Sequence, residues 1–319
     1  MRQILLFFML FPCLNYGQSS LIANVDKLIA GKQFQQAEKV LLEALPENTN
    51  NIEILERIGD VYGHQKKWEK AAKYYKKLRD LKPEVAEYHY KYGGVLGMKA
   101  LQNKLKAIGL VGDIKSSFTR AAELDENHIE ARWALVELYM QLPGIIGGSK
   151  KKSLKYAEQL QELSPVDGYL AKGYIYEYDN EPEKAEYYYK EAIRVGGSVT
   201  CYQKLTDLYT EKMNKPSEAI GTIEEAYQKH KRNALHYQIG KVSSDYKIEL
   251  DKGIQCLKRY IENYKISDGV PLEWAYYRMA KIYRHKRDAV SATTWIDKAL
   301  KKRKNFKEAL KEKALIEKL

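Results

Sequence analysis

One pattern recurs along this chain, and it limits the fold more than any other feature. Between Ile54 and Pro83, the residues Leu55, Ile58, Gly59 and Tyr62 fall at helical spacing. Ala71, Tyr75 and Leu78 then mark a second helix, and Pro83 closes the unit. The sequence returns to the same theme at Tyr169, Gly173 and Tyr176, followed by Ala185, Tyr189 and Ala192. It does so again at Tyr202, Leu205 and Tyr209 with Ala219, Ile223 and Ala226, and at Tyr276, Met279, Ala280 and Tyr283 with Ala292, Ile296 and Ala299. Weaker copies lie at Val25, Leu28, Ala37, Leu41 and Ala44, and at Ile239, Gly240, Gly253, Leu257 and Tyr260. A unit this short cannot bury its own apolar face, so neighbouring copies must stack in chain order to make a continuous core.

These residues resemble, in kind and spacing, the tetratricopeptide repeat family, whose unit is a helix hairpin of ~34 residues. The resemblance covers nearly the whole chain after its first twenty residues and implies an all-α, right-handed solenoid of about eight hairpins. Small residues such as Gly59 and Ala71 let paired helices approach, and Tyr62 and Tyr75 fill the space beside them. The 26 tyrosines against six phenylalanines fit a thin array in which a ring is packed while its hydroxyl reaches the edge. Pro182 and Pro216 are placed to open second helices, and Asp288 to cap the last of them. Residues 305–319, with Phe306, Ala309, Leu310 and Ala314 on one side, read as a helix that closes the array over residues 20–304.

Residues 1–19 read as a secretory signal. Arg2 precedes an apolar run from Ile4 to Leu14, and Asn15-Tyr16-Gly17-Gln18 offers a cleavage point. The run is shorter than the ~20 residues of a membrane-spanning helix, and no later segment approaches that length. The expected location is therefore periplasmic or secreted. A lipid-modified Cys13 is disfavoured by the bulky Phe11 and rigid Pro12 before it. The remaining cysteines, Cys201 and Cys256, are too few for a disulfide framework and read as small buried hydrophobes. A net charge of +12 would ordinarily point to nucleic acid, but export argues against that partner, and the lysines fall on helical text whose outer faces meet water.

Two neighbouring units are irregular. The unit beginning near Ala86 is stretched by about nine residues between Gly93 and Phe118. The next, beginning near Ile129, contains Leu142-Pro-Gly-Ile-Ile-Gly-Gly-Ser-Lys-Lys-Lys152 between its helices. A nucleotide-binding loop needs glycine directly before lysine after a strand, and neither condition holds. Two readings remain. The NH groups of Gly147, Gly148 and Ser149 could hold a small anion beside Lys150, or Pro143 and the glycines only shape a wide turn capped by Ser149. Glycine serves turns far more often than ligands, so the turn is the favoured reading.

No motif for metal-dependent, nucleophilic or dinucleotide-dependent catalysis occurs, and the six histidines are scattered over different units. Neither catalytic residue, metal nor cofactor is expected. The resemblance implies that first helices line a concave face whose unpacked residues meet a ligand. These positions are Glu56, Asp60, Tyr90, Trp133, Glu137, Tyr174, Glu177, Tyr178, Asp207, Tyr237, Trp274 and Tyr277, with Lys241, Lys281 and Arg284 toward the end. The family's clamp for a C-terminal carboxylate uses lysine and asparagine where this chain has Glu56 and Asp60, so that mode of binding is not expected. The expected function is a non-enzymatic scaffold holding an extended protein segment through aromatic contacts and carboxylates. The alternatives are a glycan-binding module, because exposed rings also stack on sugars, and an enzyme with its site in the two enlarged loops.

Overall fold

The computed structural model describes residues 11–45 and 49–319, with side chains described from residue 20 onward except 104–106. Residues 1–10, and the side chains of 11–19, which carry most of the proposed signal, lie outside what is described. The described residues form helices joined by short turns and contain no strand. They divide into two compact units, the first ending at Leu163 and the second starting at Ser164.

The first unit holds four hairpins: α1 (Phe11–Ala30) with α2 (Phe34–Ala44), α3 (Ile52–His64) with α4 (Trp68–Leu81), α5 (Ala86–Gln102) with α6 (Lys104–Leu124), and α7 (Ile129–Gln141) with α8 (Lys150–Leu163). The second holds α9 (Pro165–Tyr178) with α10 (Pro182–Val195), α11 (Val199–Glu211) with α12 (Pro216–His230), α13 (Ala234–Tyr246) with α14 (Leu250–Glu262), α15 (Leu272–His285) with α16 (Ala289–Lys302), and the single helix α17 (Lys307–Ile316). Within each unit a helix packs on its hairpin partner and on the first helix of the next hairpin, which is stacking in chain order.

The local signals act as read. Pro182 and Pro216 open α10 and α12, where a missing NH costs nothing. The side chains of Asn51, Ser164 and Ser198 cap α3, α9 and α11, and Asp288 accepts from the Ser291 NH at 2.9 Å to start α16. The extra length in the third hairpin is helix: α5 and α6 run 17 and 21 residues where the hairpin helices other than α1 run 11 to 15.

Close approach of paired helices rests on one device. A β-carbon placed on Gly59 would sit 2.7 Å from the Tyr75 ring, and one on Gly173 would sit 2.3 Å from the Tyr189 ring. The rings occupy the space that a side chain on the facing helix would need. Their hydroxyls are hydrogen-bonded within the hairpin. Tyr75 donates to Asp60 at 2.6 Å and Tyr189 to Glu177 at 2.6 Å, so each phenol is satisfied by a carboxylate of its own hairpin. Burial beside these acids holds both phenols far above their ordinary pKa.

The closing helix differs from its sequence reading in register. Phe306, Ala309, Glu312 and Ile316 are the buried positions, whereas Leu310 is half exposed and Ala314 exposed. Arg284 on α15 binds Glu312 and holds its carboxylate inward, so an acid takes a buried place on a helix whose inner face reads as apolar. Cys201 and Cys256 are free, buried thiols on α11 and α14.

Candidate binding faces on the first helices

In the first unit the predicted acids are drawn together by cations that the sequence reading did not single out. Lys91 on α5 reaches across to α3 and donates to Glu56 at 2.8 Å and Asp60 at 3.0 Å. Arg57 ties α3 back to α1 through Asp26 at 3.2 Å. Glu87 at the start of α5 faces His128, which caps α7, at 3.4 Å. Consecutive first helices are thus joined rung by rung along one face, and Glu56 and Asp60 are held in place rather than left as loose charges. Burial lifts the Glu87 carboxyl above its ordinary range, partly offset by Lys91 and His128, and lifts the Tyr90 phenol as well. Tyr90 is half-buried against Phe118 and the His128 ring, with centroids 5.9 and 5.0 Å away. Trp133 is half-buried on α7, and Glu137, one turn further, is exposed.

The second unit builds the same kind of rungs. The Tyr246 hydroxyl donates to the Thr210 carbonyl at 2.6 Å, joining α13 to α11. Asp245 on α13 is gripped by Arg278 and by Lys281, the latter at 2.6 Å, and Arg284 binds Glu312 on α17. On α9, Tyr174 and Tyr178 lie with ring centroids 6.0 Å apart, and Tyr178 is 50% exposed. Glu177 beside them accepts from Tyr189. Asp207 accepts from Gln203 at 2.7 Å, and burial raises its carboxyl pKa. Trp274 and Tyr277 are half-buried, packed against Phe306 at 4.6 and 5.6 Å. Tyr237 belongs to the core: it is 5% exposed and packs against Tyr260, so it presents no ring to a ligand. The aromatic surface is therefore narrower than the sequence list, because neighbouring hairpins use several of its rings as packing.

The missed cations had a readable signal. Asp26 and Arg57 are 31 residues apart, Glu56 and Lys91 are 35, and Asp245 and Arg278 are 33. Opposite charges one repeat length apart on first helices meet when hairpins stack.

The three backbone donors named for an anion are taken within the turn. The Gly147 NH donates to Gly144, the Gly148 NH to Pro143 and the Ser149 NH to Tyr139 at 2.8 Å. A β-carbon on Gly148 would collide with the Leu142 carbonyl at 1.8 Å, so glycine is there for the fold of the turn. Ser149 caps α8 by accepting from the Lys152 NH at 3.3 Å. A cleft of about 640 Å³ in this part of the chain is lined by Arg132, Lys155, Tyr156, Glu123 and Glu126, near the other end of the same hairpins.

Against this geometry, the comparisons with known proteins fall into place. A solved tetratricopeptide repeat protein from Parabacteroides merdae aligns over 93% of this chain and 98% of its own, with a TM-score of 0.52 and 15% identity. The chain has the tetratricopeptide-repeat fold. A second solved structure, YrrB, a tetratricopeptide repeat protein described as having an unusual peptide-binding site, aligns over 57% of this chain and 87% of its own at 22% identity, with a TM-score of 0.43. In sequence, human Protein O-mannosyl-transferase TMTC3 is 22% identical over 294 residues, covering 87% of this chain. The chain spans only 30% of that protein's length. No family model matches. Among the described residues, no group of histidine, cysteine, aspartate and glutamate side chains could hold a metal ion, and no helix is long and apolar enough to cross a membrane.

Proposed function

We propose that the first-helix face of the first unit holds an extended protein segment. The observation that carries this reading is the ladder of paired charges from Asp26 through Arg57, Glu56, Lys91 and Asp60, which fixes the side chains of α1, α3 and α5 in one surface. A surface already ordered loses little entropy when it binds. Acids exceed cations along it: Asp26, Glu56, Asp60, Glu87 and Glu137 stand against Arg57 and Lys91. The segment it suits therefore carries lysine or arginine, with an apolar side chain to lie on Trp133 and Tyr90. On α9 of the second unit, Tyr174 and the exposed Tyr178 offer a separate aromatic contact.

The proposed setting is outside the cytoplasm, on the strength of Arg2 and the apolar run that follows it. The partner is then an exported protein. A pull-down from the exported fraction, compared between the native protein and a Trp133→Ala, Tyr174→Ala variant, tests the reading. Loss of captured proteins in the variant is expected, and an unchanged capture profile would remove the proposal. A glycan array run in parallel separates the alternative, since hits that depend on the same two rings would assign the face to sugars.

A further inference from the structure

The lengthened third hairpin and the glycine-rich turn of the fourth, which the proposed binding face does not use, share one edge of the first unit, and that edge has a distinct chemistry. Phe34, opening α2, stacks on His64, closing α3, at 4.9 Å, and Lys99 near the end of α5 pairs with Glu69 near the start of α4 at 2.7 Å. These contacts align the turns inside the first three hairpins. The start of α7 lies beside the start of α5 through His128 and Glu87, so the end of α7 and its turn join the same edge.

Three aliphatic side chains stand out from this edge: Leu101 and Ile108 are each 67% exposed on the lengthened third hairpin, and Ile145 is 95% exposed on the turn after α7. At that exposure each side chain is available to an apolar surface. Exposed lysines stand on other turns of this edge. Lys32 and Lys66 sit at the tips of the first two turns in the left-handed conformation, and Lys151 follows the fourth. Among the described residues no carboxylate forms an ion pair with any of these three. The loops at the opposite edge carry carboxylates, Glu84 paired with Lys82 at 3.8 Å and, on the next loop, Asp125 and Glu126.

We infer that this edge docks on an anionic lipid bilayer, with Leu101, Ile108 and Ile145 entering the interface and Lys32, Lys66 and Lys151 meeting lipid phosphates. A convex apolar knob needs a matching pocket to bury itself in a protein, whereas a bilayer yields to it, and lysines beside such knobs supply the electrostatic half of interfacial binding. The shape of the tips and their charge thus select lipid over a protein partner.

Flotation of the full chain with vesicles of phosphatidylcholine alone, or with added phosphatidylglycerol, tests the inference. Binding is expected only to the anionic vesicles and should weaken as salt rises. Leu101→Ser with Ile108→Ser and Ile145→Ser should reduce the bound fraction roughly tenfold or more, and Lys32→Gln with Lys66→Gln and Lys151→Gln by a similar factor. All six positions are exposed, so circular dichroism and the melting temperature should stay those of the parent. Failure to bind anionic vesicles, or binding that survives both variants, overturns the proposal. So does a soluble protein captured through the same six residues by a chain that ignores vesicles.

Discussion

Replacing Gly173 by alanine should destabilise the second unit, although alanine is the better helix former. In a helix interior the change alone would stabilise by about 1 kcal/mol. Here the new methyl would lie 2.3 and 2.4 Å from two carbons of the Tyr189 ring, more than 1 Å inside normal contact. Tyr189 has no free volume to retreat into, being fully buried, and its hydroxyl is fixed to Glu177 at 2.6 Å. Overpacking of this kind costs about 1–3 kcal/mol, and displacing a hydrogen bond to a carboxylate about 1.5–3 kcal/mol more. After subtracting the helix-propensity gain, the net loss is about 1.5–5 kcal/mol. Gly221 on α12 is the control, because a β-carbon there meets nothing within 4 Å. Gly221→Ala should raise stability by about 1 kcal/mol. Urea unfolding followed by far-ultraviolet circular dichroism reads both, and hydrogen exchange on α9 and α10 shows whether the loss is local. Adding Tyr189→Leu to Gly173→Ala should make the two changes non-additive, since removing the ring removes the clash. A Gly173→Ala protein as stable as the parent, or one whose effect simply adds to that of Tyr189→Leu, would refute the account of hairpin packing.

Three further outcomes follow from named contacts. Lys91→Met should destabilise the first unit by about 1–3 kcal/mol by leaving the half-buried Glu56 and Asp60 facing each other, and adding Asp60→Asn should recover part of the loss, as measured by urea unfolding. Arg284→Met leaves Glu312 buried without its partner at a cost of about 3 kcal/mol, visible as faster hydrogen exchange across α17, while Leu310→Ser on its exposed side should change little. His236 and His285 are held below the ordinary histidine pKa, first by burial and then by Arg259 and Arg284 respectively. The fold therefore prefers both neutral: their contribution is present above the ordinary histidine pKa and is lost as pH falls from there through the folded values. The melting temperature should drop across mildly acidic pH, and a His236→Phe, His285→Gln variant should flatten that drop.

The sequence made the hairpins legible because packing of small against large residues recurs where helices must touch: Gly59 with Tyr75 and Gly173 with Tyr189 are visible as spacing before any coordinates. Caps such as Asp288 were equally plain, since their chemistry is local. What depended on pairing between hairpins was harder to see. Leu310 and Ala314 looked like the inner face of the last helix on hydropathy alone, and only the Arg284 guanidinium shows why Glu312 takes that place. Tyr237 sat at a ligand-facing register, yet Tyr260 on its own hairpin partner claims the ring. Gly147 and Gly148 matched an anion nest in composition, while the direction of each NH is set by the turn. Lys91 was missed because its partners lie one repeat earlier, on a different helix.

The central functional claim is that ligand meets the first helices rather than the second. A photo-crosslinking residue placed singly at Glu137 on α7, at Tyr178 on α9 and at Tyr187 on α10 tests it, because all three positions are exposed and only the last is on a second helix. Irradiation in the native compartment should give discrete protein adducts at Glu137 and Tyr178 and none at Tyr187. Adducts at Tyr187 alone, or equally at all three positions, would contradict the account.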